Sequence, residues 1–203
     1  MFRLLPRLAS GWNGDLTDTR FELERYEDLG AEARALADRV MKVSSDGIGG
    51  PFNMLLKSPA TGSRIVDLLD HFNGGHSNLD PLSRRLAVLI LARRSGARYA
   101  WWTHRRRALA AQEFTEVQIA ALNALERPEG LGPRLDRVYD YVEALTRGTP
   151  TSGKALSALK AVMSEPEITD LILFCGTYST VAMILNEADV ALPEGEDDTL
   201  ARD

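Results

Sequence analysis

Residues 82–112, LSRRLAVLILARRSGARYAWWTHRRRALAAQ, decide the fold of this 203-residue chain. Apolar residues with helical spacing lie on either side of Ser95-Gly96, and a Ser-Gly pair is typical of a turn. We therefore expect two helices folded back on each other. His104 lies on the second helix, directly after two tryptophans. A proton-transfer group beside a large aromatic surface is typical of a small-molecule site.

Helical patterns also run through the rest of the chain. Asp80 before Pro81, and Ser58 before Pro59, are typical of helix starts. The segment 167–187 is apolar around most of its circumference, which predicts a helix buried centrally or between subunits. Besides the hairpin, the spacing predicts helices over residues 22–43, 52–57, 59–72, 114–125, 135–146, 154–163 and 167–187. Since no strand pattern stands out, the predicted fold class is all-α.

Length and composition favour one domain with loose ends. We expect an irregular arm over residues 1–20, a single helical domain over 21–193 and an acidic, disordered tail over 194–203. The net charge of −5 argues against a nucleic-acid partner. No stretch approaches the roughly 18 apolar residues of a membrane span. The sequence therefore predicts a cytoplasmic protein with neither a nucleic-acid nor a membrane partner.

Sulfur and metal chemistry have little support in the pattern. The single cysteine, Cys175, lies in an apolar run, so we expect a buried, inert thiol and no intramolecular disulfide. His71 and His76 have a spacing that can hold a metal, but the pattern places no third ligand beside them. We therefore predict no metal and no cofactor.

The hairpin brings an arginine close to His104. Arg85 lies about ten residues before the turn and His104 about eight residues after it. At a rise of about 1.5 Å per residue, the two fall at similar heights on neighbouring antiparallel helices, so Arg84 or Arg85 comes within reach of the ring. A nearby guanidinium lowers the pKa of a histidine. We therefore expect His104 to be neutral near pH 7 and able to accept a proton, with the arginine available to grip a substrate carboxylate.

A second interpretation stays open, in which His104 is a polar residue on a solvent face like the arginines that follow it. The aromatic neighbours have similar alternatives. Trp101 and Trp102 point about 100° apart, so one belongs to the core and the other to a pocket wall or a subunit interface. Tyr99 is either a hydroxyl donor in the site or a core aromatic residue.

Three segments carry a pattern that points to a known family. Residues 50–59 read GPFNMLLKSP, residues 85–89 and 96–104 read RLAVL and GARYAWWTH, and residues 176–186 read GTYSTVAMILN. In this order they are similar to three family motifs, GP-F/W-N-x-L-L-R-S-P, R-E-x-A-x-L with G-x-x-Y-E-W-x-x-H, and G-Y-Y-T-x-V-x-x-x-L-N. The chain thus resembles the carboxymuconolactone decarboxylase family, which includes the AhpD-type alkylhydroperoxidases. The likeness spans roughly residues 20–195.

The resemblance implies an AhpD-like helical bundle that forms a trimer or hexamer through its long helices. It also implies a pocket on the hairpin that contains His104. The departures from the family pattern are informative. The two redox cysteines of the peroxidase branch fall at Ala97 and Ala100, and the two usual glutamates fall at Arg85 and Ala100. Because alanine forms no thiolate, the chain resembles a family variant without thiol peroxidase chemistry.

Two functions fit this variant. In the first, the protein is a cofactor-free lyase or isomerase that acts on a small anionic carbonyl or lactone compound. His104 is then the acid/base, Arg85 holds the anion or stabilises an enolate, and Trp101, Trp102, Tyr99 and Asn53 bind substrate. Asn53 has an alternative role as a cap of its short helix. In the second, the protein is a non-catalytic ligand-binding or scaffold oligomer of the same fold.

Overall fold

The computed structural model describes residues 20–44, 47–148 and 150–201, and the arm predicted over residues 1–20 lies outside them except for Arg20. Within these ranges the chain is helical and contains no strand, which confirms the predicted all-α class. A 3-10 turn, Tyr26–Asp28, precedes the first helix. The helices are α1 Ala31–Val43, α2 Pro51–Leu56, α3 Pro59–Asn73, α4 Pro81–Arg94, α5 Arg98–Ala110, α6 Glu116–Asn123, α7 Pro133–Thr146, α8 Gly153–Lys160 and α9 Glu165–Glu187.

The α4–α5 hairpin is the centre of the molecule. Helix α4 is buried almost continuously from Leu86 to Arg93 because α5, α7 and α9 pack around it. The predicted turn is present, and Gly96 adopts the left-handed conformation (φ 65°) that favours glycine. The Asp80 carboxylate caps α4 by accepting a hydrogen bond from the Ser83 N–H at 2.9 Å. The hairpin therefore has a defined start, turn and packing surface.

One arginine ties the start of α4 to its neighbours. Arg134 of α7 donates to Asp80 at 3.0 Å, to Glu167 of α9 at 2.6 Å and to the Val162 carbonyl at 2.6 Å. A guanidinium offers five donors in a rigid fork, so it can donate hydrogen bonds to acceptors in three segments of the chain at once. This network fixes the position of α4 relative to α7 and α9.

Helices α1, α2 and α3 form a second apolar cluster beside the main core. Its buried residues on these helices are Leu36, Ala37, Val40, Leu55, Leu56 and Val66. Gly62 of α3 lies so close to α2 that a Cβ there would be 2.3 Å from the Leu55 carbonyl oxygen. The side chain of Ser58, the predicted cap of α3, makes no capping hydrogen bond.

The first helix begins later than the spacing predicts. The prediction placed it over residues 22–43, whereas α1 begins at Ala31. The side chain of Asn53 accepts a hydrogen bond from the Glu24 N–H and donates one to the Glu24 carbonyl, both at 2.9 Å. These two bonds satisfy backbone groups that a helix would otherwise use, so the chain stays extended there.

Helix α9 is partly buried and partly exposed. Leu171, Phe174 and Val181 lie in the core, whereas Leu173 and Met183 are 52% and 67% exposed on the opposite face. By length and composition α9 could cross a membrane, but half of its most apolar window is buried inside the protein. The opposite face of α9 stays exposed among the residues that the structure describes.

Residues 194–201 of the acidic C-terminal segment are packed along the body, which corrects the prediction of a disordered tail for these residues, and residues 202–203 lie outside the described ranges. Trp102 Nε1 donates to the Glu196 carboxylate at 2.7 Å. The Asn123 amide bonds to the Thr199 carbonyl at 2.8 Å and to the Ala201 N–H at 2.9 Å. Leu200 is buried in the main core. Composition alone does not reveal these partners, because they come from α5 and the end of α6.

Candidate functional site

A cavity of about 330 Å³ lies against the hairpin, at the low end of the sizes typical of small-molecule sites. Helices α4 and α5 supply its polar wall, and α9, α3 and α2 supply much of the apolar wall. Within the part of the chain that the structure describes, three arginines and one histidine line it, and no carboxylate does. The lining includes Arg84, Arg85, Tyr99, Thr103, His104, Arg107, Asn73, Phe174 and Tyr178.

A chain of three polar side chains defines the chemistry of the cavity. Arg85 Nη1 lies 2.8 Å from His104 Nδ1, and Arg85 Nε donates to the Glu113 carboxylate at 2.6 Å. The Arg85 and Glu113 side chains are each less than one-fifth exposed, and His104 is buried. Glu113 therefore holds the guanidinium in place, and the guanidinium holds the ring.

The electrostatics favour a neutral His104. Burial lowers its pKa well below the usual value of 6.5, and the positive charges of Arg85 and Arg107 lower the pKa further. The predicted arginine neighbour is thus present, and so is its predicted effect on the pKa of the ring.

The hydrogen bond from Arg85 also decides where the ring proton lies. A guanidinium only donates, so Nδ1 must accept, and the proton of the neutral imidazole is on Nε2. No described residue forms a hydrogen bond with Nε2. His104 is therefore set up to donate from Nε2 to a ligand, whereas the sequence analysis expected it to accept a proton.

Aromatic side chains from α9 pack against the His104 ring. The rings of His104 and Tyr178 meet edge to face with 5.4 Å between centroids, and Phe174 packs on Tyr178 at 4.5 Å. The Tyr178 hydroxyl accepts a hydrogen bond from the Asn73 amide at 3.3 Å. Burial raises the pKa of Tyr178, so its hydroxyl stays protonated at neutral pH.

Of the four residues predicted to bind substrate, only Tyr99 is in the described lining of the cavity. Tyr99 lines the cavity, and its ring fills the space beside Gly50, where a Cβ would lie 2.8 Å from it. Trp101 is fully buried in the core. Trp102 stacks under Arg106 and holds the C-terminal segment. Asn53 holds Glu24.

These positions correct the assignments of Trp101, Trp102 and Asn53, because none of the three lines the cavity. The residues of α5 that line the cavity recur at three- and four-residue spacing and so share one face of the helix, and Trp101 and Trp102 lie outside that face. They are Tyr99, Ala100, Thr103, His104 and Arg107. Asn53 lies on α2, where its amide makes two hydrogen bonds with backbone and makes no capping bond.

Sequence reasoning missed Glu113 and the α9 wall. Glu113 follows Gln112, whose left-handed backbone (φ 54°) turns the chain after α5 back toward Arg85. Glutamine at such a position gives no reliable local signal. Tyr178 was visible within the third family-like segment, but only the packing of α9 on the hairpin places its ring against His104.

The histidine pair outside the cavity has no further ligands. The rings of His71 and His76 stack with 6.4 Å between centroids. Among residues 20–44, 47–148 and 150–201, no three histidine, cysteine or acidic side chains come together as a metal site would require.

Comparison with solved structures gives clear likeness in fold. An uncharacterised peroxidase-related protein from Ralstonia eutropha JMP134, described as an alkylhydroperoxidase AhpD core, has a TM-score of 0.66 at 14% identity, covering 87% of this chain and 93% of its own. A peroxidase-related protein from Silicibacter sp. TM1040 has a TM-score of 0.66 at 13% identity, covering 91% and 96%. A protein of unknown function from Agrobacterium tumefaciens, provisionally named an antioxidant defence protein AhpD, has a TM-score of 0.61 at 18% identity, covering 71% and 98%.

These likenesses establish that the chain has an AhpD-like fold. No family model matches the sequence, and no curated protein matches it either. The fold and the site together define a class of protein: an AhpD-like helical domain whose hairpin cavity is lined by an imidazole and arginines.

Proposed function

We propose that this protein is a carboxymuconolactone decarboxylase-like lyase that releases CO2 from a small anionic carbonyl compound without a cofactor. The observation that supports it is the neutral His104 in the wall of an arginine-lined cavity, where Arg85 holds the ring and no described residue accepts a hydrogen bond from its Nε2–H. A positive cavity attracts an anion, and a fixed N–H donor stabilises negative charge that develops on oxygen.

The chemistry of the chain disfavours the peroxidase activity suggested by the names of its structural neighbours. A thiol peroxidase of that type needs two cysteines, and this chain has one. Burial raises the pKa of Cys175 to about 12, which leaves it a thiol at neutral pH. Ala97 and Ala100, at the positions of the family's redox pair, cannot replace it.

Decarboxylation suits the site better than isomerisation. Isomerisation next to a carbonyl begins with proton abstraction, but the lining described above has no carboxylate, and Nδ1 of His104 is already occupied by Arg85. Loss of CO2 needs no base. The bond between the carboxylate and the carbon next to the carbonyl breaks, and its electron pair moves toward the carbonyl oxygen to form an enolate. His104 Nε2–H donates to that oxygen, and water then protonates the carbon.

A carbonyl placed in this way is its own electron acceptor, so the reaction needs no bound cofactor. Arg85 acts in this proposal as a positioning residue, since its guanidinium is committed to Glu113 and His104. We also propose a cytoplasmic, homo-oligomeric protein with no nucleic-acid partner, supported by the net charge of −5 and the exposed apolar face of α9.

A second candidate is a non-catalytic ligand-binding protein of the same fold. The observation that favours it is the absence of any carboxylate in the described lining, where the resembled family has two glutamates near the hairpin. The same cavity would then hold an acid without converting it.

The test is CO2 release from a panel of 3-oxo acids and carboxylated lactones. We expect wild-type turnover of at least one of them, and a loss of about 10²–10³-fold in kcat for His104→Phe, which keeps a ring but removes the donor. His104→Gln should recover part of the rate, because its amide can donate. His71→Gln, an exposed histidine on α3, is the matched control and should leave the rate unchanged.

Full activity of His104→Phe would remove His104 from the mechanism. Binding of the acids without CO2 release by the wild type would favour the ligand-binding alternative.

A further inference from the structure

We infer that Arg84 and Thr103 form a carboxylate subsite separate from the Arg85–His104 pair, an inference that rests on the proposed function for its choice of ligand class. Both residues line the cavity. Arg84 Nη1 and Thr103 Oγ1 are buried, and neither has a hydrogen-bond partner among the described residues. Buried polar groups are normally satisfied, and an unsatisfied one costs free energy until a ligand or water pairs with it.

The lack of a partner is unusual for these residue types in this protein. Thr177 and Thr180 of α9 each bond to the carbonyl four residues earlier, at 2.8 and 3.1 Å. Thr103 makes no such bond, although it is also within a helix. Arg134 uses its guanidinium on three acceptors, whereas Arg84 leaves one nitrogen buried and unused. Both unpartnered donors therefore belong to residues that line the cavity.

The hairpin geometry allows both donors to reach a single group. Arg84 lies about eleven residues before the turn and Thr103 about seven after it, an offset of roughly 6 Å along the axis at about 1.5 Å per residue. An arginine side chain spans such an offset. The positive charge of Arg84 also reaches the α9 wall, where it lowers the pKa of Tyr178 against the larger effect of burial. The guanidinium thus faces the same cavity that His104 faces.

The chemistry of the two donors selects a carboxylate. A guanidinium only donates, and a hydroxyl can donate, so the missing partner is an acceptor with lone pairs on more than one atom. Arg85 is neutralised by Glu113, but no acidic side chain in the described lining neutralises Arg84. Charge-assisted bonds to a carboxylate would satisfy both the charge and the hydrogen-bonding capacity.

This assignment changes the role that the sequence analysis gave to Arg85. Arg85 positions the ring that faces the carbonyl, and Arg84 with Thr103 anchors the acid group of the ligand. The cavity then prefers a small keto acid over the corresponding ester or amide, because a neutral group leaves the Arg84 charge unpaired in a buried place.

The experiment uses 4-oxopentanoate and its methyl ester as probes, with binding measured by calorimetry. In 4-oxopentanoate two CH2 groups separate the carboxylate from the carbonyl. Loss of CO2 would therefore not form an enolate, so binding of this acid is independent of turnover. We expect the wild type to bind the acid at least tenfold more tightly than the ester. Arg84→Met should weaken binding of the acid by about 10- to 100-fold and leave the ester nearly unchanged.

Thr103→Val provides a second variant that keeps the shape of the side chain. Removal of a buried, unpaired hydroxyl should not lower the melting temperature, so weaker binding of the acid by about three- to tenfold would report the lost contact alone. Arg64→Met, at an exposed arginine of α3, carries the same charge change outside the cavity and should bind like the wild type.

Equal affinities of folded Arg84→Met and wild type for the acid would overturn the inference, as would failure of the wild type to bind it at millimolar concentration. Arg84-dependent binding without CO2 release from any panel compound would support the subsite and contradict the proposed lyase. CO2 release by the wild type together with an unchanged KM in Arg84→Met would support the proposed lyase and contradict the subsite.

Discussion

The position of one proton on His104 determines what this cavity can do. Arg85 donates to Nδ1, and Glu113 fixes Arg85, so the ring presents an N–H at its other nitrogen. A neutral imidazole that donates can stabilise an enolate without becoming charged. Burial and two nearby arginines keep the pKa of the ring low enough for this form to persist at neutral pH.

The low pKa of His104 predicts how stability depends on pH. In the unfolded chain a histidine titrates near pH 6.5. Below that pH His104 becomes protonated in the unfolded state but stays neutral in the folded state, because its folded pKa is lower. The free energy of unfolding should therefore fall by up to about 1.4 kcal/mol per pH unit from this residue, until the lower folded pKa is reached. Urea unfolding at pH 7 and pH 5.5 measures the effect.

The matched variant for this measurement is His104→Gln, which keeps every other ionisable group. We expect it to lose less stability than the wild type between the two pH values. His71→Gln, at an exposed position, should retain the wild-type dependence. Identical pH dependence in wild type and His104→Gln would show that the folded ring titrates normally.

At the scale of elements, α2 and α3 approach each other closely in the second cluster. Gly62 permits it, because the glycine has no Cβ to meet the Leu55 carbonyl oxygen. Helix α2 also carries Pro51 and Phe52, which line the cavity. The spacing of these two helices therefore affects both stability and the shape of the site.

Gly62→Ala should lower the free energy of unfolding by about 1–3 kcal/mol, since the new methyl group overlaps backbone that cannot move aside easily. Gly153→Ala at the start of α8 is the control. A Cβ there has nothing within 4 Å, so we expect no loss, or a gain of about 0.4–1 kcal/mol. Denaturant unfolding of the two variants compares them, and equal stabilities would argue against a tight α2–α3 contact.

At the scale of the whole molecule, one apolar surface stays exposed among the described residues. Ile172, Leu173 and Met183 lie on the outer face of α9 and are between 44% and 67% exposed. Adjacent exposed apolar side chains on one helix face favour association. This agrees with the proposal that subunits pack through α9.

We expect light scattering to give a trimer or hexamer at micromolar concentration. Leu173→Glu should shift the mass toward the monomer, because it places a charge in the contact. Val117→Glu makes the same type of change on α6, at a side chain that is 78% exposed, and should not alter the mass. A wild-type monomer at that concentration would contradict assembly through α9.

Local sequence determined the helical elements and their hairpin. Apolar spacing around Ser95-Gly96 predicts α4 and α5, and Asp80 before Pro81 predicts the start of α4, because these signals act over three or four residues. The same spacing placed Arg85 near His104, since two antiparallel helices joined by a short turn leave little freedom in height. The resemblance in three segments indicated the AhpD-like fold.

Tertiary structure alone decided the rest. Glu113 reaches Arg85 through the turn at Gln112, Asn53 holds Glu24 and delays the start of α1, and Trp102 secures the C-terminal segment. Each of these contacts joins groups far apart in the chain or reached through an uncommon backbone turn, so no local periodicity encodes it. The spacing brings Arg85 near His104, but packing decides which ring nitrogen accepts its hydrogen bond. Packing also leaves the donors of Arg84 and Thr103 without a partner among the described residues. The sequence thus determined which helices form and which polar groups they carry, and packing determined which of those groups meet.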